Sequence, residues 1–386
     1  MTVAVAVGIL LLAFTFGFAS RTLVLRGTAH AVLISCVLML VIVRSLVYEF
    51  TGERPTATIV LSGATLAIAL ALGARSIDRT ATSALVIVGA LLALAFRNGW
   101  SGDIAYSSLT LAIPALIIGV TAPVSIRVLR FCLGIWGGVL AVQLVYFGTY
   151  SANRLILPEE NPIWIARAAA IACIALLYTS WPVYVRIPLI GLGAVVIEQT
   201  GSRGPLWGLL LVAALYCRSR LQKPYRGLAT AAAIALGGGI IMGKSMDSVL
   251  DLGIDRTSSA MPRYAFWQQA VSAWRRHPLT GSGTGSDEAG SGLAGYPHNF
   301  VLEVLAQTGV VGLALVVGLM AVAMIRTRNG LARSLFVAAL CFAFVSGSFW
   351  TSFELWVMVG VCLRNSPGQP RVEAPVLERR RLLSRA

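Results

Sequence analysis

Long apolar runs, separated by short polar connections, recur along the chain from residue 3 to residue 363. A membrane-spanning helix needs about 20 mainly apolar residues, and its backbone polar groups are satisfied within the helix itself. The pattern therefore predicts transmembrane helices over residues 3–20, 30–48, 57–74, 82–96, 107–122, 129–149, 163–180, 182–198, 205–217, 227–243, 299–325 and 334–350.

The last apolar stretch, residues 335–362, is long for one span and short for two, and Ser346-Gly347-Ser348 interrupts it. We predict a bent hairpin here. The sequence thus predicts an all-α, polytopic membrane protein with about 12–13 transmembrane helices.

Positive charge alternates between the two sets of connections. One set holds fourteen cations, at Arg21, Arg26, Arg75, Arg79, Arg127, Arg130, Arg186, Arg218, Arg220, Lys223, Arg226, Arg326, Arg328 and Arg333. The opposite short connections hold only Arg54, Arg97, Arg154 and Arg203. Cytoplasmic loops carry the excess of Lys and Arg, which predicts that the first set is cytoplasmic and that the N-terminus lies outside.

One polar segment differs from the short connections. Residues 244–297 contain few apolar runs, are rich in Gly and Ser, and fall on the outer side by the charge rule. We predict a transmembrane region over 1–243, an extracytoplasmic loop with short helices over 244–297, C-terminal transmembrane helices over 298–363 and a basic cytoplasmic tail over 364–386. Within the loop, residues 248–256 and 263–276 are expected to be helical and 281–295 irregular.

Composition supports a membrane protein, because 57% of the residues are hydrophobic and only 12% are charged, against about 25% charged in soluble domains. The formal charge of +15 is spread over connections and tail, so nucleic-acid binding is disfavoured. The six cysteines all lie in apolar segments without metal-ligand or CxxC spacing. They read as small core side chains.

Few residues can carry acid–base chemistry, since the chain has only three histidines. His298 follows Pro297 at the predicted outer mouth of a span, where it is either a functional group or a helix-capping interfacial residue. Arg203 and Arg263 are predicted at the same outer rim. Arg203 lies in a very short connection between two predicted spans, where a cation is costly near hydrocarbon unless it is paired or hydrated. Arginines at helix ends also extend to lipid headgroups, which is the ordinary alternative.

An ordered set of residues extends through the polar loop into the next predicted span, and the short sequence Ser202-Arg203-Gly204 precedes it. The set comprises residues 263–267, Ala270, His277-Pro278-Leu279, Gly281, Gly283, Gly285, His298-Asn299, Leu302, Leu305, Gly309 and Gly312. This order resembles the motif of the O-antigen ligase/polymerase family, and Ser202-Arg203-Gly204 resembles that family's other short signature. The resemblance covers roughly residues 195–325.

The resemblance implies a GT-C-like glycosyltransferase of the bacterial inner membrane with its site facing outward. Such an enzyme takes a glycan from undecaprenyl diphosphate and transfers it to a glycolipid, glycan or protein acceptor. His298 matches the proposed catalytic base of the family. Arg203 and Arg263 match the arginines thought to bind the diphosphate.

These roles are chemically coherent. An imidazole can accept the proton of a sugar hydroxyl during its attack on the anomeric carbon. Guanidinium groups can bind the negative charge that develops on a leaving diphosphate. Because no carboxylate–histidine ligand set occurs on the predicted outer side, we expect neither a metal nor another cofactor.

Three further residues are candidate substrate contacts, and two of them, Glu303 and Trp267, have an ordinary structural alternative. Asn299 follows the histidine directly. Glu303 lies one turn later, where it either orients His298 or contacts the acceptor, or is a hydrated residue at the helix end. Trp267 either stacks on a sugar ring or belongs to an interfacial aromatic belt.

Ligase and polymerase differ only in the acceptor, and no short motif separates them. A transporter or flippase of polyprenyl-linked glycans is the alternative from a different class. It would need an internal repeat and charges near the membrane midplane. The sequence shows no clear repeat, and the notable cations lie at the predicted outer rim with His298, which favours chemistry over transport.

Overall fold

A computed structural model describes the chain over residues 23–51, 79–97, 111–121, 124–151, 154–158, 160–221, 225, 227, 260–284, 299–346 and 348–364. These residues are mostly helical. In chain order the elements are α1 (Leu23–Leu38), α2 (Leu40–Thr51), α3 (Arg79–Phe96), α4 (Ile113–Thr121), α5 (Ile126–Phe147), β1 (Thr149–Ser151), β2 (Arg154–Ile156), α6 (Pro162–Leu177), α7 (Val183–Gln199), α8 (Arg203–Arg220), α9 (Ala260–Arg276), α10 (Phe300–Arg326), α11 (Gly330–Ser346) and α12 (Phe353–Arg364).

Several predicted features lie outside the described residues. These are the spans 3–20, 57–74 and 227–243, the helix 248–256, loop residues 285–298 and the tail beyond residue 364. The helix predicted over 263–276 is observed as α9.

Within the described part, two helices are long and apolar enough to cross a membrane, α5 and α10. A third candidate is the pair α1–α2, taken together as one broken span. Shorter apolar helices cover Thr82–Phe96, Pro162–Leu177 and Gly330–Val345. The apolar helices and their lengths support an integral membrane protein.

Over the span predicted at 30–48, the chain is helical but bends by 75° between α1 and α2. Polar side chains of α5 bind the backbone and hydroxyl groups around the bend. Trp136 donates to Ser35 Oγ at 3.2 Å, and Gln143 donates to the carbonyl of Ile42 at 3.3 Å. These partners come from a distant part of the chain, so the apolar pattern of 30–48 does not reveal the bend.

The sequence predicts helices only, whereas the connection between α5 and α6 contains a short antiparallel hairpin. Its two strands pair Thr149 with Ile156 and Ser151 with Arg154. Leu155 is buried on one side of β2, while the strand β1 is exposed. The hairpin therefore rests on the helical body through β2.

Small residues allow the central helices to pack closely. A Cβ on Gly119 of α4 would lie 2.8 Å from Cα of Gly360 in α12, so the backbones of the two helices are in direct contact. Helix α6 is buried on all sides from Ile165 to Ala175, a run that is rich in alanine. Close backbone approach through small residues is typical of helix packing in membranes.

The last apolar stretch forms two helices, α11 and α12, as the predicted bent hairpin requires. The turn between them buries Phe349 and Trp350, whose rings lie 4.9 Å apart, and Trp350 stacks on Trp356. Arg364, the first residue of the predicted tail, is buried and is the last residue of α12.

Candidate functional site

The turn between α7 and α8 sets the position of Arg203. Thr200 closes α7, and its N–H donates to the carbonyl of Val196 at 3.1 Å. Gly201 then adopts φ +66°, a left-handed conformation that glycine reaches without steric cost. Ser202 is extended, and Arg203 follows as the first residue of α8.

The start of α8 has no side-chain cap. Ser202 occupies the N-cap position, yet its hydroxyl makes no capping hydrogen bond. One reason is Pro205, which stands at the third helical position, where a serine cap often finds a backbone N–H. Ser202 is only 7% exposed, and its Oγ has no hydrogen-bond partner among the described residues.

Arg154, the first residue of β2, lies against this turn. A Cβ on Gly201 would be 3.1 Å from Nε and 3.4 Å from Cγ of Arg154. The missing side chain of Gly201 therefore makes room for the arginine. Arg154 itself is exposed.

A second group of contacts forms where α9 leads into α10. Ala270 and Ala273 of α9 form a small buried cluster with Ala306, and Leu302 packs against it. The two candidate residues Arg263 and Trp267 lie on the same helix, in the turns before this cluster. Trp267 is half-buried.

The residues after α9 form an irregular segment, His277–Thr284, that fills a break in α10. Gly309 has φ +67° and ψ −166°, which interrupts the helix. The carbonyls of Ala306 and Gln307 accept instead from the N–H groups of Ser282 at 2.7 Å and Gly283 at 3.0 Å.

The N–H groups after the break are satisfied by the same segment. Val310 donates to the carbonyl of Pro278 at 2.9 Å, and Val311 donates to that of Leu279 at 3.1 Å. Because buried backbone groups need partners, a helix broken inside lipid is tolerated only where protein supplies them. The 277–284 segment supplies four such partners.

Two glycines make this contact possible. A Cβ on Gly281 would overlap the backbone of Gln307 and Thr308, and a Cβ on Gly309 would overlap that of Leu279 and Thr280. Both glycines also have positive φ. Close backbone packing therefore accounts for the glycine at position 281, which begins the Gly-Ser-Gly-Thr-Gly sequence.

Arg97, one residue beyond α3, ties the same segment to a third helix. Its guanidinium donates to Thr280 Oγ1 and to the carbonyl of Gly281. The N–H of Thr284 donates to the carbonyl of Ala95 at 2.6 Å. The 277–284 segment, which directly follows α9, is thus bound to both α3 and α10.

Asn299 begins α10 as its N-cap. Its side-chain oxygen accepts from the N–H groups of Val301 at 3.0 Å and Leu302 at 3.3 Å. His298 immediately precedes this cap in the chain. The capping contact gives Asn299 a structural function, whether or not the residue also contacts a substrate.

Glu303 points into the protein. It is 1% exposed, and its carboxylate accepts from the hydroxyl of Ser348 at 2.6 Å and from the N–H of Phe349 at 2.7 Å. Gln307 donates to the same carboxylate at 3.4 Å and accepts from Trp350 Nε1 at 2.9 Å. Glu303 is therefore not a hydrated residue at the helix end, because it joins α10 to the α11–α12 turn.

The structure thus builds two clusters around the predicted site residues. One contains the start of α8 and the hairpin, and the other contains α9, the 277–284 segment and the first half of α10. The side chains of Arg203 and Arg263, and all of His298, lie outside the described residues. Their mutual geometry therefore remains a prediction.

Comparison with known proteins gives a family match for one segment of the chain. Residues 188–317 match the family model described as O-antigen ligase. This segment belongs to the O-antigen ligase family. The match begins inside α7, ends inside α10 and includes Arg203, Arg263 and His298. The search among curated proteins found no match to this chain.

The O-antigen ligase match confirms the resemblance noted from the sequence. It supports a membrane glycosyltransferase-type enzyme that acts with a lipid-linked glycan and an acceptor. Residues 1–187 and 318–386 lie outside the match.

Sequence reasoning did not select Arg97 and Arg154 as site residues, although a signal was present. Both belong to the small set of cations in the cation-poor connections, together with Arg203. The structure brings each of them to a candidate cluster, Arg97 to the 277–284 segment and Arg154 to the start of α8.

Proposed function

We propose that the protein transfers a glycan from undecaprenyl diphosphate to an acceptor hydroxyl on the outer face of the bacterial inner membrane. His298 acts as the base, and Arg203 and Arg263 bind the diphosphate. The observation that carries the proposal is the O-antigen ligase match, which includes all three residues in one segment.

The proposed base takes its proton from the attacking hydroxyl. A sugar hydroxyl is a poor nucleophile at neutral pH, and general-base catalysis typically contributes 10²–10⁴-fold to such a step. In this reaction the bond from the hydroxyl oxygen to the anomeric carbon forms while the bond to the diphosphate oxygen breaks. The hydroxyl proton goes to the imidazole of His298.

The leaving diphosphate needs charge stabilisation rather than a proton. Guanidinium groups remain charged and donate paired hydrogen bonds to phosphoryl oxygens. Arg203 stands at the first position of α8, where the helix dipole and free backbone N–H groups also favour an anion. We therefore propose a metal-independent reaction without a general acid.

The fold supports a rigid site beside His298. Asn299 caps α10 directly after the histidine, and Glu303 binds the next turn to the buried α11–α12 turn. Helix α9, which carries Arg263, packs on Leu302 and Ala306 of α10. Catalytic groups on loops need such scaffolds in order to keep their positions.

The wider architecture proposed here has about 12–13 transmembrane helices and one large extracytoplasmic loop over 244–297. Its other regions are the transmembrane region 1–243, the C-terminal transmembrane helices 298–363 and the basic cytoplasmic tail 364–386, which follow from the apolar runs and the charges of the connections. The charge pattern of the connections supports the outward orientation of the site. Ligase and polymerase remain two versions of this function, with a lipid or protein anchor or a further repeat unit as the acceptor.

The first test is transfer by the purified full-length protein in EDTA, from a natural lipid-diphosphate donor pool to cell-envelope acceptors. We expect His298→Ala to lose at least about 100-fold in rate. His277→Ala is the matched control, because His277 is an exposed histidine in the adjacent segment, and it should retain activity.

Equal activity of wild type and His298→Ala would contradict the role of His298 as base. If wild-type activity disappears in EDTA and returns with a divalent cation, metal independence is wrong. A wild type that moves labelled lipid-linked glycan across vesicles without forming a glycosidic bond would instead support the flippase alternative.

A further inference from the structure

Arg154 is a cation that the proposed function has not used. It is the first residue of β2, its partner across the hairpin is Ser151, and its neighbour Leu155 is buried. Strand β2 therefore holds the arginine in place by its backbone. The guanidinium end lies beside Gly201, one residue before Ser202.

Arg154 has no protein partner in the described part of the chain, where it makes no ion pair and no hydrogen bond through its side chain. The acidic residue closest in sequence to the turn is Glu198, which contributes its backbone carbonyl to Gly201 and forms no ion pair with Arg154. An exposed guanidinium of this kind is free to bind an anion.

The two residues that follow Gly201 in the chain, Ser202 and Arg203, offer further donors. The hydroxyl of Ser202 is buried and unpaired among the described residues. A buried hydroxyl without a partner is unfavourable unless a ligand accepts its hydrogen. Arg203 follows at the N-terminus of an 18-residue helix, which favours negative charge.

We propose that Arg154 is a further diphosphate-binding residue, which acts together with Arg203 and the hydroxyl of Ser202 on a polyprenyl diphosphate. The identity of the anion rests on the proposed function. A diphosphate carries its charge on two phosphoryl groups. Cations from two separate elements, β2 and α8, bind both groups better than one arginine does.

A direct binding measurement tests this inference without requiring transfer. The full-length protein in detergent is titrated with farnesyl diphosphate and with farnesyl monophosphate. We expect Arg154→Gln to weaken farnesyl diphosphate binding roughly tenfold or more, and Arg154→Lys to recover part of it. The loss should be smaller for the monophosphate, which has only one phosphoryl group.

Two more variants sharpen the test. Arg218→Gln is the matched control, because Arg218 is an exposed arginine at the other end of α8, and its binding should equal wild type. Ser202→Ala removes a hydroxyl that makes no hydrogen bond with a described residue. Its unfolding temperature should therefore be unchanged while diphosphate binding weakens by roughly threefold or more.

Unchanged binding in Arg154→Gln, with weakened binding in Arg203→Gln, would overturn this inference and leave the proposed function intact. Unchanged binding in both variants would overturn the arginine roles in the proposed function as well. The same titration can be repeated in nanodiscs of defined lipid. If Arg154→Gln weakens farnesyl diphosphate binding only in nanodiscs with anionic phosphatidylglycerol, and not in phosphatidylcholine, Arg154 binds lipid headgroups instead. Unchanged binding in Ser202→Ala would remove that hydroxyl from the site.

Discussion

Arg167 of α6 and Glu354 of α12 form a buried ion pair, with 3.2 Å between Arg167 Nη1 and Glu354 Oε2. Their side chains are 1% and 3% exposed. Arg167 also donates to the carbonyl of Phe342 at 3.3 Å, and its guanidinium lies over the ring of the same residue. The pair therefore connects α6, α11 and α12 within the apolar core.

Removing one member of this pair should be strongly destabilising. We expect Glu354→Ala to cost about 3–5 kcal/mol, because it leaves the Arg167 charge buried without compensation. The double variant Arg167→Met/Glu354→Leu should recover most of that loss, since two apolar groups replace the pair. Thermal unfolding in detergent measures both, and equal destabilisation of the single and double variants would contradict the explanation.

Gly309 should tolerate no side chain, because it combines positive φ with direct contact to the backbone of Leu279 and Thr280. We expect Gly309→Ala to lower stability by about 1–3 kcal/mol and to release the 277–284 segment. Gly318→Ala is the control in the same helix, since a Cβ there meets no atom within 4 Å. It should be neutral or stabilising by up to about 1 kcal/mol.

The measurement for the glycine variants combines thermal unfolding with limited proteolysis of the loop after α9. Faster cleavage in Gly309→Ala and not in Gly318→Ala is the expected result. Matching behaviour of the two variants would mean that the break in α10 does not hold the segment.

Arg97 should position the 277–284 segment without contributing much to global stability. We expect Arg97→Gln to raise the rate of loop cleavage on the order of fivefold and to lower transfer activity, with little change in the unfolding temperature. Arg127→Gln, an exposed arginine in the first turn of α5, is the control. Normal cleavage and activity in Arg97→Gln would contradict the positioning role.

Asn299 allows its capping and substrate roles to be separated. Asn299→Ala should cost about 0.5–2 kcal/mol by loss of the cap, whereas Asn299→Asp keeps an acceptor for the N–H groups of Val301 and Leu302. Full transfer activity in Asn299→Asp would limit the residue to capping. If Asn299→Asp is as stable as wild type but less active, the residue also contacts a substrate.

Much of the fold was predictable from apolar runs. The run 299–325 corresponds to α10, which covers Phe300–Arg326, and the run 129–149 corresponds to α5 at Ile126–Phe147. The helix expected within the polar loop is also present as α9. These agreements have a local cause, because apolar residues at helical length specify a helix whose hydrogen bonds close within itself.

The candidate site was predictable only as a set of residue types in order. Ser202-Arg203-Gly204, Arg263 and His298 carried the family resemblance, and the O-antigen ligase match covers them. Arg154 was visible as a cation in a short connection, but its approach to Gly201 depends on the hairpin. From the sequence, Glu303 is either a surface group or a site group, since nothing nearby in the chain indicates its partners Ser348 and Phe349.

Hydrophobicity and motif order are local properties of the chain, so the amino-acid order alone predicts a membrane protein of serial helices with an O-antigen ligase signature. The bend after α1, the filling of the Gly309 break and the pairing of Arg167 with Glu354, 187 residues apart, depend instead on how the chain folds. A buried polar group must find a partner somewhere in the fold. Which partner it finds is set by packing between distant segments.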